Sequence, residues 1–131
     1  MPTWGLWMTP QRLVAVATND DGVLLGPPHK VRRHDDGRWG LLSCIEAAGV
    51  GTTTLVVSQA ALAGEALPRL AARHGCRVLV APDQLVPAAC KLAGFPRAPP
   101  RTLALLLARM PLSAPFAERL LRLELQLPLF G

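Results

Sequence analysis

The chain has 131 residues, of which 50% are hydrophobic and 18% charged, a balance that suits one folded domain and excludes disorder. Its formal charge of +5 is compatible with nucleic acid but does not require it, and an aromatic content of 5% with no tyrosine leaves few platforms for stacking single-stranded bases. The three cysteines, Cys44, Cys76 and Cys90, form no metal-type spacing and leave an odd number, which argues against a disulfide scaffold and for a reducing compartment.

No basic residue precedes Arg12 and no export signal follows it. The longest uncharged run, residues 47–64, contains Gly49, Gly51 and Gly64, three consecutive threonines, Ser58 and Gln59. That composition suits a turn, a buried strand and a helix start better than a membrane span. The expectation is a cytoplasmic chain with no membrane partner.

The first third reads as strands. Residues 3–8 are short and aromatic, and residues 12–18 carry Leu13, Val14, Ala15, Val16 and Ala17. Asn19-Asp20-Asp21-Gly22 has turn chemistry, which predicts a third strand at 23–25 ended by Gly26-Pro27-Pro28. Asp35-Asp36-Gly37 reads as a loop. Trp39, Leu42, Ile45 and Ala48 recur at helical spacing, predicting a helix over 38–48.

The pattern then changes to strand–helix alternation. Residues 52–57 form a β-branched run of the kind covered on both faces. Residues 60–74 read as helix, with Pro68 as a kink or a late start, and 77–80 as a second buried strand. Asp83 is placed to cap a helix ending near Gly94. Such a strand–helix–strand unit makes its two strands parallel. Residues 96–100 are a stiff connector, 102–110 a Leu/Ala helix, and Ser113 opens a last helix holding Leu120, Leu121 and Leu123. An antiparallel three-strand meander followed by βαβ and flanking helices is the order of an RNase H-like mixed sheet, an element count that other small α/β domains share.

Particular blocks add to this pattern: Trp4-Gly5-Leu6-Trp7, residues 12–22, Leu55-Val56-Val57-Ser58-Gln59-Ala60-Ala61, Gly75-Cys76-Arg77-Val78-Leu79-Val80-Ala81-Pro82, and residues 99–108. In these blocks the chain resembles the N-terminal RuvC-like domain of the DEDD transposases, the insertion-sequence family that includes the Piv-type DNA invertases. The resemblance spans residues 4–110. It implies an RNase H-like α/β fold, and in the family it implies four metal-binding carboxylates. Those positions fall on Trp7, on Ser58 or Gln59, on Pro100 and on Leu103. Two-metal phosphodiester chemistry needs hard oxygen ligands. The expectation is therefore a pseudo-enzyme with no catalytic residue, metal or cofactor.

The remaining acids offer no replacement site. Asp20, Asp21, Asp35 and Asp36 read as solvated turn residues, and Glu46, Glu65, Glu118 and Glu124 as exposed helix positions. His29, His34 and His74 have no ligand-like spacing with the cysteines. The densest positive stretch, Lys30, Arg32, Arg33 and Arg38, suits phosphate contact. It equally suits a charged edge strand that discourages edge-to-edge pairing.

Gln126-Leu127-Pro128-Leu129-Phe130 is the most specific short signal. It resembles the pentapeptide by which clients bind the bacterial β sliding clamp, Gln-Leu-(Ser or Asp)-Leu-Phe, with proline as a variant in the third place. Leu129 and Phe130 each gain about 1.5–3 kcal/mol by entering a pocket. Gln126 supplies donors and an acceptor, and Pro128 restricts the free peptide. The competing expectation is a tail helix over 123–130 packed on the protein's own core. The chain thus divides into a degenerate RuvC-like domain over 1–110, a helix over 111–125 and a clamp-binding tail over 126–131. The leading function is a non-catalytic interaction protein of bacterial DNA metabolism. The alternatives are a DNA-binding accessory of a mobile element and a residual metal-dependent nuclease or transposase fragment. A homodimer is compatible with each.

Overall fold

The computed structural model describes residues 2–47, 53–95 and 97–123. Among them the chain forms a mixed α/β fold around a six-stranded sheet. Strands β1 (Thr3–Met8), β2 (Arg12–Thr18) and β3 (His29–Arg32) make an antiparallel meander. Strands β4 (Thr54–Ser58) and β5 (Arg77–Ala81) run parallel to β1, and the short β6 (Leu121–Arg122) pairs antiparallel with β5. The order across the sheet is β3-β2-β1-β4-β5-β6.

Strand alternation sends successive side chains to opposite faces, and both faces here are covered. Trp4, Leu6, Leu13, Leu55, Val57, Val78 and Val80 meet helix α1 (Asp35–Ala47) through Leu41, Leu42 and Ile45. They also meet α2 (Gln59–Gly64) and α3 (Leu67–Arg73) through Ala61, Leu67 and Ala71. On the other face Val56, Leu79 and Ala81 pack against α4 (Leu85–Ala93), α5 (Pro100–Arg109) and α6 (Ala114–Ala117). A 3₁₀ turn, Met110–Leu112, links the last two. Helix α4 stops at Gly94, whose φ of 82° is left-handed and whose N–H returns to the Lys91 carbonyl.

Helix α5 crosses β1 at Gly5. A β-carbon there would meet the Ala104 carbonyl oxygen at 1.8 Å and the Ala108 nitrogen at 2.7 Å. Glycine on the strand and alanines four apart on the helix let the two backbones touch.

Several expected elements move. The third strand is not 23–25. Asn19 Oδ1 accepts from the N–H groups of Asp21 and Val23, and Leu24 forms only one bridge, to Thr18. Gly26-Pro27-Pro28 interrupts the chain, because proline has no N–H for the ladder, and pairing resumes at His29. Helix α1 begins at Asp35 rather than 38. The carboxylates of Asp35 and Asp36 suit its positive N-terminal end, and His34 Nδ1 accepts from the Gly37 N–H at 3.0 Å. Trp39 is not core: it is 48% exposed. The helix expected over 60–74 is two, α3 starting late with Pro68 in its first turn. Asp83 does not cap α4, whose N-cap residue is Gln84. The last helix stops at Ala117, and Leu121 lies in β6, because its segment pairs with β5.

Candidate functional site

Of the positions to which the resemblance would assign carboxylates, Trp7 and Leu103 come together near the end of a parallel strand. Trp7 stands near the end of β1, Ser58 closes β4, and Pro100 opens α5. Open α/β sheets bind ligands at the carboxyl ends of such strands. Here Trp7 and Leu103 line one cavity of about 500 Å³, together with Val86, Cys90 and Phe95. The lining is mainly carbon, and Lys91 is the one charged lining residue among those described.

Ser58 is buried, and its hydroxyl accepts from the Ala61 N–H at 3.1 Å, capping α2. Gln59 and Asp83 clasp each other's segments. The Asp83 carboxylate accepts from the Ala60 N–H at 3.3 Å, and Gln59 Oε1 accepts from the Asp83 N–H at 3.4 Å. These polar groups serve the start of α2. Among the described residues no three His, Cys, Asp or Glu side chains are grouped to share a metal ion.

The basic stretch divides in two. Arg33 and Arg38 converge on Glu65, whose side chain is fully buried. Arg33 Nε donates to Glu65 Oε2 at 2.8 Å, and its Nη2 donates to the Gly64 carbonyl at 2.7 Å. Arg38 Nε donates to Glu65 Oε1, and its Nη1 reaches Asp35 at 3.3 Å. Glu65 Oε1 also accepts from the Ala66 N–H at 3.0 Å. Burial raises the Glu65 pKa, but the hydrogen bonds from Arg38 and Arg33, the Arg38 charge and the Ala66 N–H outweigh it. The net shift is below the ordinary carboxylate value. The same hydrogen bond to Glu65 raises Arg38. This charge cluster ties the end of β3 and the start of α1 to the α2–α3 junction.

Lys30 and Arg32 remain exposed on the edge strand, and the ladder adds a third cation. Arg12 is the register partner of Arg32, while Lys30 pairs with Val14. Val14 packs against Ala104 and Ala108 of α5, so the three basic residues share that face of the sheet. Sequence spacing did not reveal this grouping, since Arg12 lies on a different strand.

Glu65 is also a correction: helical patterning placed it on an exposed face, and it is 4% exposed. No local signal marks it, because its two partners lie about thirty residues upstream. Another pair the sequence left unconnected is His74 and Glu46, whose Nδ1 and Oε1 are 2.8 Å apart. Trp39 meets the His74 ring edge-on, with centroids 5.7 Å apart. Nearby Cys76 has its pKa pushed up by burial and then by the Glu46 charge, so it stays a thiol rather than an activated nucleophile.

Gln126, Leu127, Leu129 and Phe130 lie outside the described residues. The last described residue, Leu123, is half-buried, and its N–H donates to the Val78 carbonyl at 2.9 Å. The chain matches no protein-family model and no curated protein. Among the described residues no helix is long and apolar enough to cross a membrane.

Proposed function

We propose that the chain is a non-catalytic interaction protein of bacterial DNA metabolism. It docks on the β sliding clamp through Gln126, Leu127, Leu129 and Phe130, and it works in the cytoplasm. The carrying observation is the Gln126-Leu127-Pro128-Leu129-Phe130 sequence itself. The folded part is read as a degenerate RuvC-like domain of RNase H-like architecture. The strand order β3-β2-β1-β4-β5, antiparallel then parallel, supports that reading. So does the apolar cavity at Trp7 and Leu103, where carboxylates would be needed for metal chemistry. The last described residue, Leu123, follows directly on β6, an outer strand of the sheet.

The test measures binding of purified clamp to the full chain and to a chain lacking residues 126–131. Binding by the first and not the second is expected, and absence of binding by the full chain overturns the proposal. A second reading, a DNA-binding accessory of a mobile element, rests on exposed Arg12, Lys30 and Arg32. It predicts affinity that falls steeply with salt.

A further inference from the structure

A second cluster of cations lies at the other end of the sheet, where β4 and β5 begin. Thr3, Thr54 and Arg77 form one register row across β1, β4 and β5. Arg122 on β6 is the partner of Leu79, two residues along from Arg77. Thr3, Thr54, Arg77, Leu79, Leu120 and Arg122 line one cavity of about 340 Å³. Arg77 and Arg122 also border an adjoining cavity of about 510 Å³.

No carboxylate lines either cavity among the described residues. There, neither guanidinium makes an ion pair or side-chain hydrogen bond, and the hydroxyls of Thr3 and Thr54 are likewise uncommitted. Arg33 and Arg38 show the contrast, since both are spent on Glu65. Two guanidiniums and two hydroxyls around one space form a donor-rich set with no anionic acceptor among the described lining residues. Arginine forks match the oxygens of phosphate, and such charge-assisted bonds are among the stronger ones. Two positive charges with no carboxylate among the described lining residues favour a dianion over a singly charged carboxylate. Leu79 and Leu120 supply an apolar wall beside the cations, so an organic body attached to the anion has a surface to rest on.

We propose that Arg77 and Arg122, with Thr3 and Thr54, bind a phosphomonoester dianion. The ligand is a small phosphorylated molecule or the 5′-phosphate end of a nucleic-acid strand, which share this chemistry. The site shares no lining residue with the cavity at Trp7.

The experiment titrates the full chain with adenosine monophosphate, with a 5′-phosphorylated oligonucleotide and with the same oligonucleotide lacking that phosphate. Binding of the monophosphate as tightly as the phosphorylated strand identifies a small-molecule ligand. Binding of the phosphorylated strand alone identifies a strand end. In either case Arg77→Ala and Arg122→Ala are each expected to weaken binding by about tenfold or more. Thr54→Val weakens it less, with no change in charge. Circular dichroism should be unchanged, since both arginines are exposed. No binding of any phosphorylated probe, equal binding of the two oligonucleotides, or full binding by the double arginine variant overturns the proposal.

Discussion

The α-carbon of Gly5 and the carbonyl of Ala104 are so close that one added methyl group at Gly5 would sit 1.8 Å from that oxygen. The obstacle is backbone, which cannot swing aside as a side chain can. Gly5→Ala must therefore push α5 off β1, separating Ala104 and Ala108 from Val14 and Val16. We expect a loss of at least about 3 kcal/mol in chemical denaturation, the upper range for overpacking. An unchanged unfolding midpoint would refute this account of the β1–α5 contact.

Glu65 is the second structural dependency. Its side chain is fully buried, while those of Arg33 and Arg38 keep 22% and 20% of their exposure. Removing one member of a buried ion pair typically costs about 3–5 kcal/mol. The partial exposure of the arginines puts Glu65→Ala near about 3 kcal/mol. The pH dependence has a definite sign. The folded pKa lies below the unfolded one, so this stabilisation is complete above the ordinary glutamate value of about 4.3. It is lost as pH falls through the lower folded value. Wild type should therefore lose stability on acidification below about pH 4.3 more steeply than Glu65→Gln. Parallel acid titrations of the two proteins would contradict this.

The sequence made the central strands legible and hid the charge cluster. β1 and β2 have the expected bounds because their composition and the following turn agree. The parallel pairing of β4 and β5 follows from the helices between them. The third strand was missed because Val23-Leu24-Leu25 has strand composition, but the paired residues lie beyond two prolines. Trp39 fits the helical spacing of a core face yet rests against His74 at the surface. The basic site was only half legible. Adjacency in sequence grouped Arg33 with Lys30, whereas the fold gives Arg33 to Glu65 and brings Arg12 to Arg32.

That division predicts different behaviour for neighbouring arginines. If nucleic acid is bound at the edge strand, Arg12→Ala, Lys30→Ala and Arg32→Ala should each reduce the salt dependence of affinity by about one unit of log–log slope. Their melting temperatures should change little. Arg33→Ala and Arg38→Ala should instead lower the melting temperature, because each leaves Glu65 short of a partner. Salt titrations of DNA binding with paired thermal melts separate the two sets. Equal effects of all five substitutions on slope would dissolve the distinction.

The carbon-lined cavity at Trp7 and Leu103 carries a prediction about chemistry. With no side-chain oxygen on Trp7 or Leu103 and no carboxylate among the described lining residues, the cavity offers a Mg²⁺ or Mn²⁺ pair few of the hard ligands it needs. Ser58 and Gln59 are already committed to the start of α2. Purified protein should not cleave or join DNA with either ion. Metal-dependent cleavage that survives extensive purification and disappears in Asp83→Asn would place the reaction on Asp83 and overturn this expectation.

The last prediction concerns the pentapeptide. If Leu129 and Phe130 enter a pocket on the clamp, Phe130→Ala removes a buried aromatic anchor and should cost about 2–4 kcal/mol of binding. That corresponds to roughly 30- to 1,000-fold in affinity. Gln126→Ala should cost less, because it removes polar contacts rather than the burial of a ring. The unfolding midpoint should stay where it is, since a side chain that docks on a partner contributes little to the free fold. Packing of the same residues on the chain's own core predicts the reverse: a lower midpoint and no specific effect on the clamp. Measuring both quantities for Leu129→Ala and Phe130→Ala decides the matter. Substitutions that chiefly unfold the protein assign these residues to its own core, and substitutions that abolish clamp binding at constant stability assign them to the partner.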